Sequence, residues 1–311
     1  MTEGDAVGLY GKVVSQPDFL RVGAGAFCQA GLDRWLQEGV ETLRAERTVL
    51  PPSPIAFLLA PAGAPTAFLG VLATSVDAAG RSFPLSFFVQ IATATSRATL
   101  PSLPAAYARF VADASALFSE AASLDGAEIA RRAQALAVGT AAVAEPYAWK
   151  NEPVRTLTTT FGGSLPAVAY ALRTLVSACE RSAQPTATAA AGLTVDAPTS
   201  GSTTSALWLE IARRRLGWLD AVPSLFWTAG SEGSGAEGGS AGRLLMTLGA
   251  PSPMALAYLA NPGHRSTRLW PLCTGVASAA DQAFAALTPG QRGMIEDPTA
   301  SFGDLASAFA Q

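Results

Sequence analysis

"PIAFLLAPAGAPTAFLGVLATSVDAAGRSFPLSFFVQI", residues 54–91, decides the fold. It holds three apolar segments, 54–61, 66–76 and 81–91, rich in Val, Ile, Leu and Phe. That composition suits buried strands. The connections between them are too short for crossover helices, so neighbouring strands are expected to pair antiparallel. "DAAG", residues 77–80, is then a hairpin connection. Gly80 supplies the positive φ such turns often need, and Asp77 accepts backbone N–H bonds where the turn begins. Arg81 leaves on the opposite strand, within reach of Asp77. Turn chemistry explains the acid and the glycine without a substrate, whereas a catalytic pair on a loop requires one.

Upstream, "VGLYGKVV" (7–14) reads as a first strand, ended near Pro17, which cannot donate to a sheet ladder. A helix follows over about 27–47, with Leu32, Trp35, Leu36, Val40 and Leu43 on one face. The loop between them carries Lys12, Asp18 and Arg21. Two readings compete for it: an anion site beside a helix N-terminus, or charges that knit the loop to the sheet.

Downstream, helices are expected at 104–122, 125–137 and 165–182, with a loop-like stretch at 144–166. A short strand "LTVDA" precedes an amphipathic helix at 203–219 with Trp208, Ile211, Ala212 and Leu216 on one face. "SLFWTAG" and "GRLLMTLG" read as strands, a helix begins near Ser252, and the tail holds one further Ala-rich helix at 277–287. Interleaved strands and helices predict an α/β protein with a mixed, largely antiparallel sheet flanked by helices in layers. The expected organisation is a domain over 6–263, of two lobes meeting near 140–165, and an Ala-rich helical C-terminal extension over 264–311.

Charged residues make up 14% of the chain, below the roughly 25% of an average soluble protein. No apolar run approaches the ~20 residues of a membrane span. The acidic opening "MTEGDAVGLY" lacks the basic and apolar regions of a secretion signal. A formal net charge of −3 argues against a nucleic-acid partner. Cys28, Cys179 and Cys273 lie far apart, which fits buried thiols in a reducing compartment.

Motifs of chemistry fare poorly. "GSEGSGAEGGSAG" (230–242) contains both GxGxxG and GxSxG, yet a strand follows it rather than the helix either motif needs, so it reads as a flexible loop joining two strands. His264 is the only histidine, which removes two-histidine metal sites, and no close cysteine pair replaces them. "ARRRLGW" places arginines at a helix C-terminus, where the macrodipole favours them and Glu210 stands in ion-pair spacing with Arg214. Trp35, Trp208, Trp218 and Trp227 are read as core. No cofactor and no enzymatic activity are expected.

Three blocks together carry a family resemblance. "YGKVVSQPDFLRVGAGAFCQAGLDRWLQEGV" resembles the opening of the TagF (ImpM) family of type VI secretion-associated proteins. There an FGK strand, a GDF-containing loop and a WDxWLQ helix occur in that order. The matching positions include Tyr10, Gly11, Lys12, Asp18, Phe19, Arg21, Asp33, Trp35 and Gln37. "TSVDAAGRSFPL" is similar to the family's PSVDRVGRYFPL through Asp77, Gly80, Arg81, Phe83 and Pro84. "PSLFWTAG", with Trp227, and "LLMTLGAPSPMALAYL" resemble later SLWWTxG and GLPxP blocks. Pro17, Thr74 and Ala250 depart from the pattern. The resemblance implies a cytoplasmic, non-enzymatic, post-translational repressor of type VI secretion assembly that binds the forkhead-associated scaffold. The family-signature candidates for partner binding are Lys12, Asp18, Arg21, Asp33, Asp77, Arg81 and Trp227. The alternative is a small-molecule or nucleotide-binding protein using the loop of Lys12, Asp18 and Arg21.

Overall fold

The computed structural model describes residues 6–61, 64–94, 99–138, 147–183, 192–218, 222–228, 242–249 and 251–310. Its centre is one nine-stranded sheet: β1 Gly8–Gly11, β2 Leu20–Val22, β3 Ile55–Leu59, β4 Thr66–Ala73, β5 Leu85–Ala92, β6 Leu193–Thr199, β7 Ser224–Thr228, β8 Gly242–Leu248 and β9 Leu269–Pro271. The strands lie in the order β2-β1-β5-β4-β3-β7-β8-β6-β9. Every pairing is antiparallel except β6 with β9. The mixed, largely antiparallel α/β architecture expected from the sequence is therefore present. The segment 54–91 forms its middle, with Leu58 opposite Leu69 and Val71 opposite Phe87.

Both faces of this sheet are covered, and the two-residue period of the strands sorts side chains between two cores. Along β3, Ala56 and Leu58 enter one core while Ile55, Phe57 and Leu59 enter the other. Along β8, Leu244 and Met246 point to the first and Leu245 to the second. The second core is closed by α1 Gly25–Gln29, α2 Leu32–Ala45 and, from the far end of the chain, a helix at Met254–Ala260.

The first core is closed by α3 Leu103–Ala106, α4 Ala108–Ala121, α5 Gly126–Gln134, α6 Val154–Thr160, α7 Leu165–Ser182 and α8 Ser202–Leu216. The helix at Met254–Ala260 is α9, and the tail adds α10 Ala277–Ala285, α11 Pro289–Glu296 and α12 Phe302–Phe309. The tail packs into the first core through Leu287, Ile295, Phe302, Leu305 and Phe309.

Several local expectations need correction. The single helix at 27–47 is two helices, broken at Ala30 and Gly31, where Gly31 takes a left-handed backbone. The stretch read as a loop at 144–166 contains α6, which begins after the helix-compatible Pro153. The tail holds three helices rather than one. α11 carries a capping box at Thr288 with Pro289 at its first position, and α12 is capped by Ser301. The strands β2 and β9 are three residues long, too short to show a period.

α8 also differs from its reading as an amphipathic helix. Thr204–Ala212 are buried on every side, because α7 and α12 lie against it. Its buried Glu210 is neutralised by Arg213 at 2.7 Å and Arg214 at 2.6 Å. Those hydrogen bonds offset the burial that would otherwise raise the Glu210 pKa, which falls below its ordinary value. The Gly/Ser-rich run lies outside the described residues up to 241, as does Ala250.

Candidate functional site

Three of the charged positions singled out in the sequence, Lys12, Asp77 and Arg81, meet at one end of the sheet. β1 ends at Gly11, whose backbone passes so close to β5 that a Cβ there would stand 2.2 Å from the Pro84 carbonyl oxygen. That close approach carries Lys12 beneath the hairpin between β4 and β5. Gly80 sits in the hairpin turn at φ 75°, as the turn requires.

Asp77 is the hub. Its Oδ1 accepts the backbone N–H groups of Ala79 at 3.0 Å and Arg81 at 2.8 Å. Its Oδ2 accepts Lys12 Nζ and Arg81 Nε, each at 2.7 Å. Burial alone would raise the Asp77 pKa, but these four donors outweigh it and hold the carboxyl well below the usual carboxylate range. Arg81 also reaches back through Nη2 to the Pro17 carbonyl at 2.6 Å, and Ala78 N–H donates to the Gln16 carbonyl at 3.1 Å. The hairpin is thus fastened to the loop that follows β1.

The remaining candidates do not join this cluster. Arg21 lies over the rings of Tyr10 and Phe19, 5.6 and 5.7 Å from their centres. Asp18 is exposed. Asp33 occupies the first turn of α2, where an acid complements the helix dipole; burial, with the Asp33 charge adding to it, raises the Cys28 thiol pKa. Trp227 is buried in the first core. Lys12, Asp77 and Arg81 converge; Asp18, Arg21, Asp33 and Trp227 do not.

A second convergence joins the outer two blocks on the other side of the sheet. Trp35 Nε1 donates to the Pro251 carbonyl at 3.0 Å, and its ring stacks on Phe226 with centres 5.8 Å apart. A Cβ at Gly39 would stand 2.6 Å from Leu256, so α2 and α9 are in direct contact. Beside it, Tyr10, Phe19 and Phe83 form a ring cluster. Among the described residues, the buried Tyr10 hydroxyl meets the geometry of a hydrogen bond with none, and Gln37 is the polar side chain beside it.

Two clefts flank the hairpin and share Thr74 and Ser82. One, of about 270 Å³, lies between the hairpin and α4, lined by Val13, Val76, Leu85 and Phe118. The other, of about 460 Å³, lies between the hairpin and the C-terminal end of α2, lined by Val40, Leu43, Leu50, Pro52 and Pro84. Arg44 spans its edge, donating to the Ser82 carbonyl at 3.2 Å. Sequence reasoning missed both the clefts and the bond from Lys12 to Asp77. The one available signal was Gly11 immediately before Lys12.

Among the described residues, no three His, Cys, Asp or Glu side chains stand close enough together to hold a metal ion. Among the described residues no helix is long and apolar enough to cross a membrane.

Residues 8–137 match the model of the TagF N-terminal domain, Type VI secretion system-associated. The match covers the YGK block, the hairpin and α2, and ends before the third block. No curated protein matches the chain. The crystal structure of PA0076 from Pseudomonas aeruginosa PAO1 is similar at a TM-score of 0.50 and 16% identity, over 87% of this chain and 100% of that one. At that identity the similarity shows a common fold.

Proposed function

We propose, on the premise that this type VI secretion-associated chain belongs to the TagF family through its N-terminal domain, that it is a post-translational repressor of secretion-system assembly. In this reading it acts in the cytoplasm, catalyses no reaction, and works by binding the forkhead-associated scaffold protein. One observation carries the reading beyond family membership. Asp77, Lys12 and Arg81 direct their polar atoms at one another and at backbone, so the charges serve the hairpin's shape rather than a substrate.

The competing reading is a nucleotide or metabolite site built on Lys12, Asp18 and Arg21. It finds less support. Lys12 is held by Asp77, Arg21 is stacked on aromatic rings, and Asp18 faces away into solvent. The test is capture of the scaffold by the purified full chain at low salt, paired with deletion of the gene in its native cell. Retention of the scaffold and increased secretion on deletion support the proposal. Neither effect, with a thermal shift from a nucleotide or metabolite panel, supports the rival.

A further inference from the structure

The cleft between α2 and the hairpin has three features that the fold itself does not explain. Val49, at its mouth, is 79% exposed, the most exposed of the large apolar side chains among the described residues. Arg47, two residues earlier, holds a left-handed backbone at φ 52°, a conformation that costs a residue with a Cβ about 1–2 kcal/mol and is ordinarily given to glycine at a helix C-terminus. Arg44 and Arg47 form no ion pair with a carboxylate among the described residues. Arg44 is the one charged residue in the lining, and no carboxylate lines the cleft.

The charge around the opening is positive on a chain whose formal net charge is −3. Arg47 adjoins the lining residue Thr48, whereas Arg81, beside the lining residue Ser82, is paired to Asp77 at 2.7 Å. Glu46, the nearest acid in sequence, is turned to His264, with Oε2 3.2 Å from Nδ1. The C-terminal end of α2 contributes about half a negative charge. The unpaired guanidinium groups of Arg44 and Arg47 outweigh it, while the charge of Arg81 is met by Asp77.

We infer that this cleft is the docking site for an acidic segment of a protein partner, with one aliphatic side chain of that segment anchored among Val40, Leu43, Leu50 and Pro84 and its carboxylates meeting Arg44 and Arg47. The inference rests on the reading of the chain as a protein-binding module and assigns it a face. An apolar floor supplies the anchor that dominates such contacts, and the charged rim selects the partner's sign. Strain at Arg47 fits a position kept for its guanidinium rather than for the fold.

Fluorescence anisotropy on the full chain tests this with three labelled synthetic peptides: a Glu-rich peptide carrying leucine anchors, its Lys-rich counterpart, and a Glu-rich peptide with alanine in place of leucine. The first is expected to bind at least about tenfold more tightly than either other, which is ~1.4 kcal/mol. Arg47→Glu and Val49→Asp, both at exposed positions, are each expected to weaken it about tenfold, while Val276→Asp, at an exposed apolar residue on α10's N-terminal flank, leaves it unchanged. Equal binding of the acidic and basic peptides, insensitivity to both variants, or no saturable binding overturns the inference. The same variants separate it from the functional proposal. If the scaffold binds the wild type, Arg47→Glu and Val49→Asp alike, the cleft is not the face. If the acidic peptide binds as expected and the scaffold does not, the face stands and the named partner falls.

Discussion

Lys12 Nζ and Asp77 Oδ2 stand 2.7 Å apart, 65 positions apart in the chain, with Lys12 8% exposed and Asp77 2%. This bond links the end of β1 to the hairpin between β4 and β5. Removing Asp77 leaves Lys12 buried without a counter-charge, whereas removing Lys12 leaves Asp77 still paired to Arg81. Asp77 is therefore the position on which the local architecture depends most.

The pH dependence follows from the sign of its shift. Asp77 has a folded pKa depressed below the unfolded value of about 3.9, so the unfolded chain binds the extra proton as the solution is acidified. Its stabilisation is present in full above about pH 5 and is lost as the pH falls through the folded pKa. Asp77→Asn is expected to lower the denaturation midpoint at pH 7, with the deficit against wild type shrinking as the pH falls below about 4. Glu128, held at a pKa of about 2 by Arg131 and Arg132, is present in both proteins and cancels in the comparison. Guanidinium melts from neutral pH downward provide the check; a deficit that does not change with pH contradicts the assignment.

Tyr10 stands where the family's motif has phenylalanine, and its hydroxyl is buried without a partner among the described residues. Tyr10→Phe removes that unsatisfied group and keeps the ring cluster with Phe19, Phe27 and Phe83. The variant is expected to be more stable by about 1 kcal/mol in denaturant titration. A loss of similar size shows that the hydroxyl has a partner after all.

Arg47→Gly relieves the left-handed backbone at the end of α2 and is expected to stabilise the chain by about 0.5–1 kcal/mol. If Arg47 is retained for docking, the same variant weakens the acidic peptide while raising the melting temperature. Opposite movement of those two readouts distinguishes function from fold.

Phe302 and Phe309 place the tail in the first core at 0% and 2% exposure. Phe302→Ala is expected to cost about 3–5 kcal/mol, measured as a fall in the guanidinium midpoint of the whole chain. A separate early transition involving the tail alone is the contrary outcome.

How much of this was legible in the sequence depended on the range of the interaction. The hairpin read correctly because Asp77, Gly80 and Arg81 act within four residues, where turn chemistry is local. The central strands read correctly because each is long enough to show its composition. β2 and β9 were too short for that. α6 and α11 are short and open at or after prolines, Pro153 and Pro289, at positions that a helix start tolerates. The ion pair from Lys12 and the bond from Trp35 to Pro251 span 65 and 216 positions, and only the folded sheet brings them together. The cleft beside α2 was invisible for the same reason: Pro84 and Leu43 come from different layers.

In the proposed function the chain works by binding a protein partner. Isothermal titration calorimetry of the purified forkhead-associated scaffold into the full-length chain measures it most directly. Saturable heat that Val49→Asp diminishes and Tyr10→Phe preserves is the predicted result. An absence of heat with the scaffold over the accessible concentrations, alongside saturable heat with a nucleotide that Lys12→Met abolishes, contradicts it.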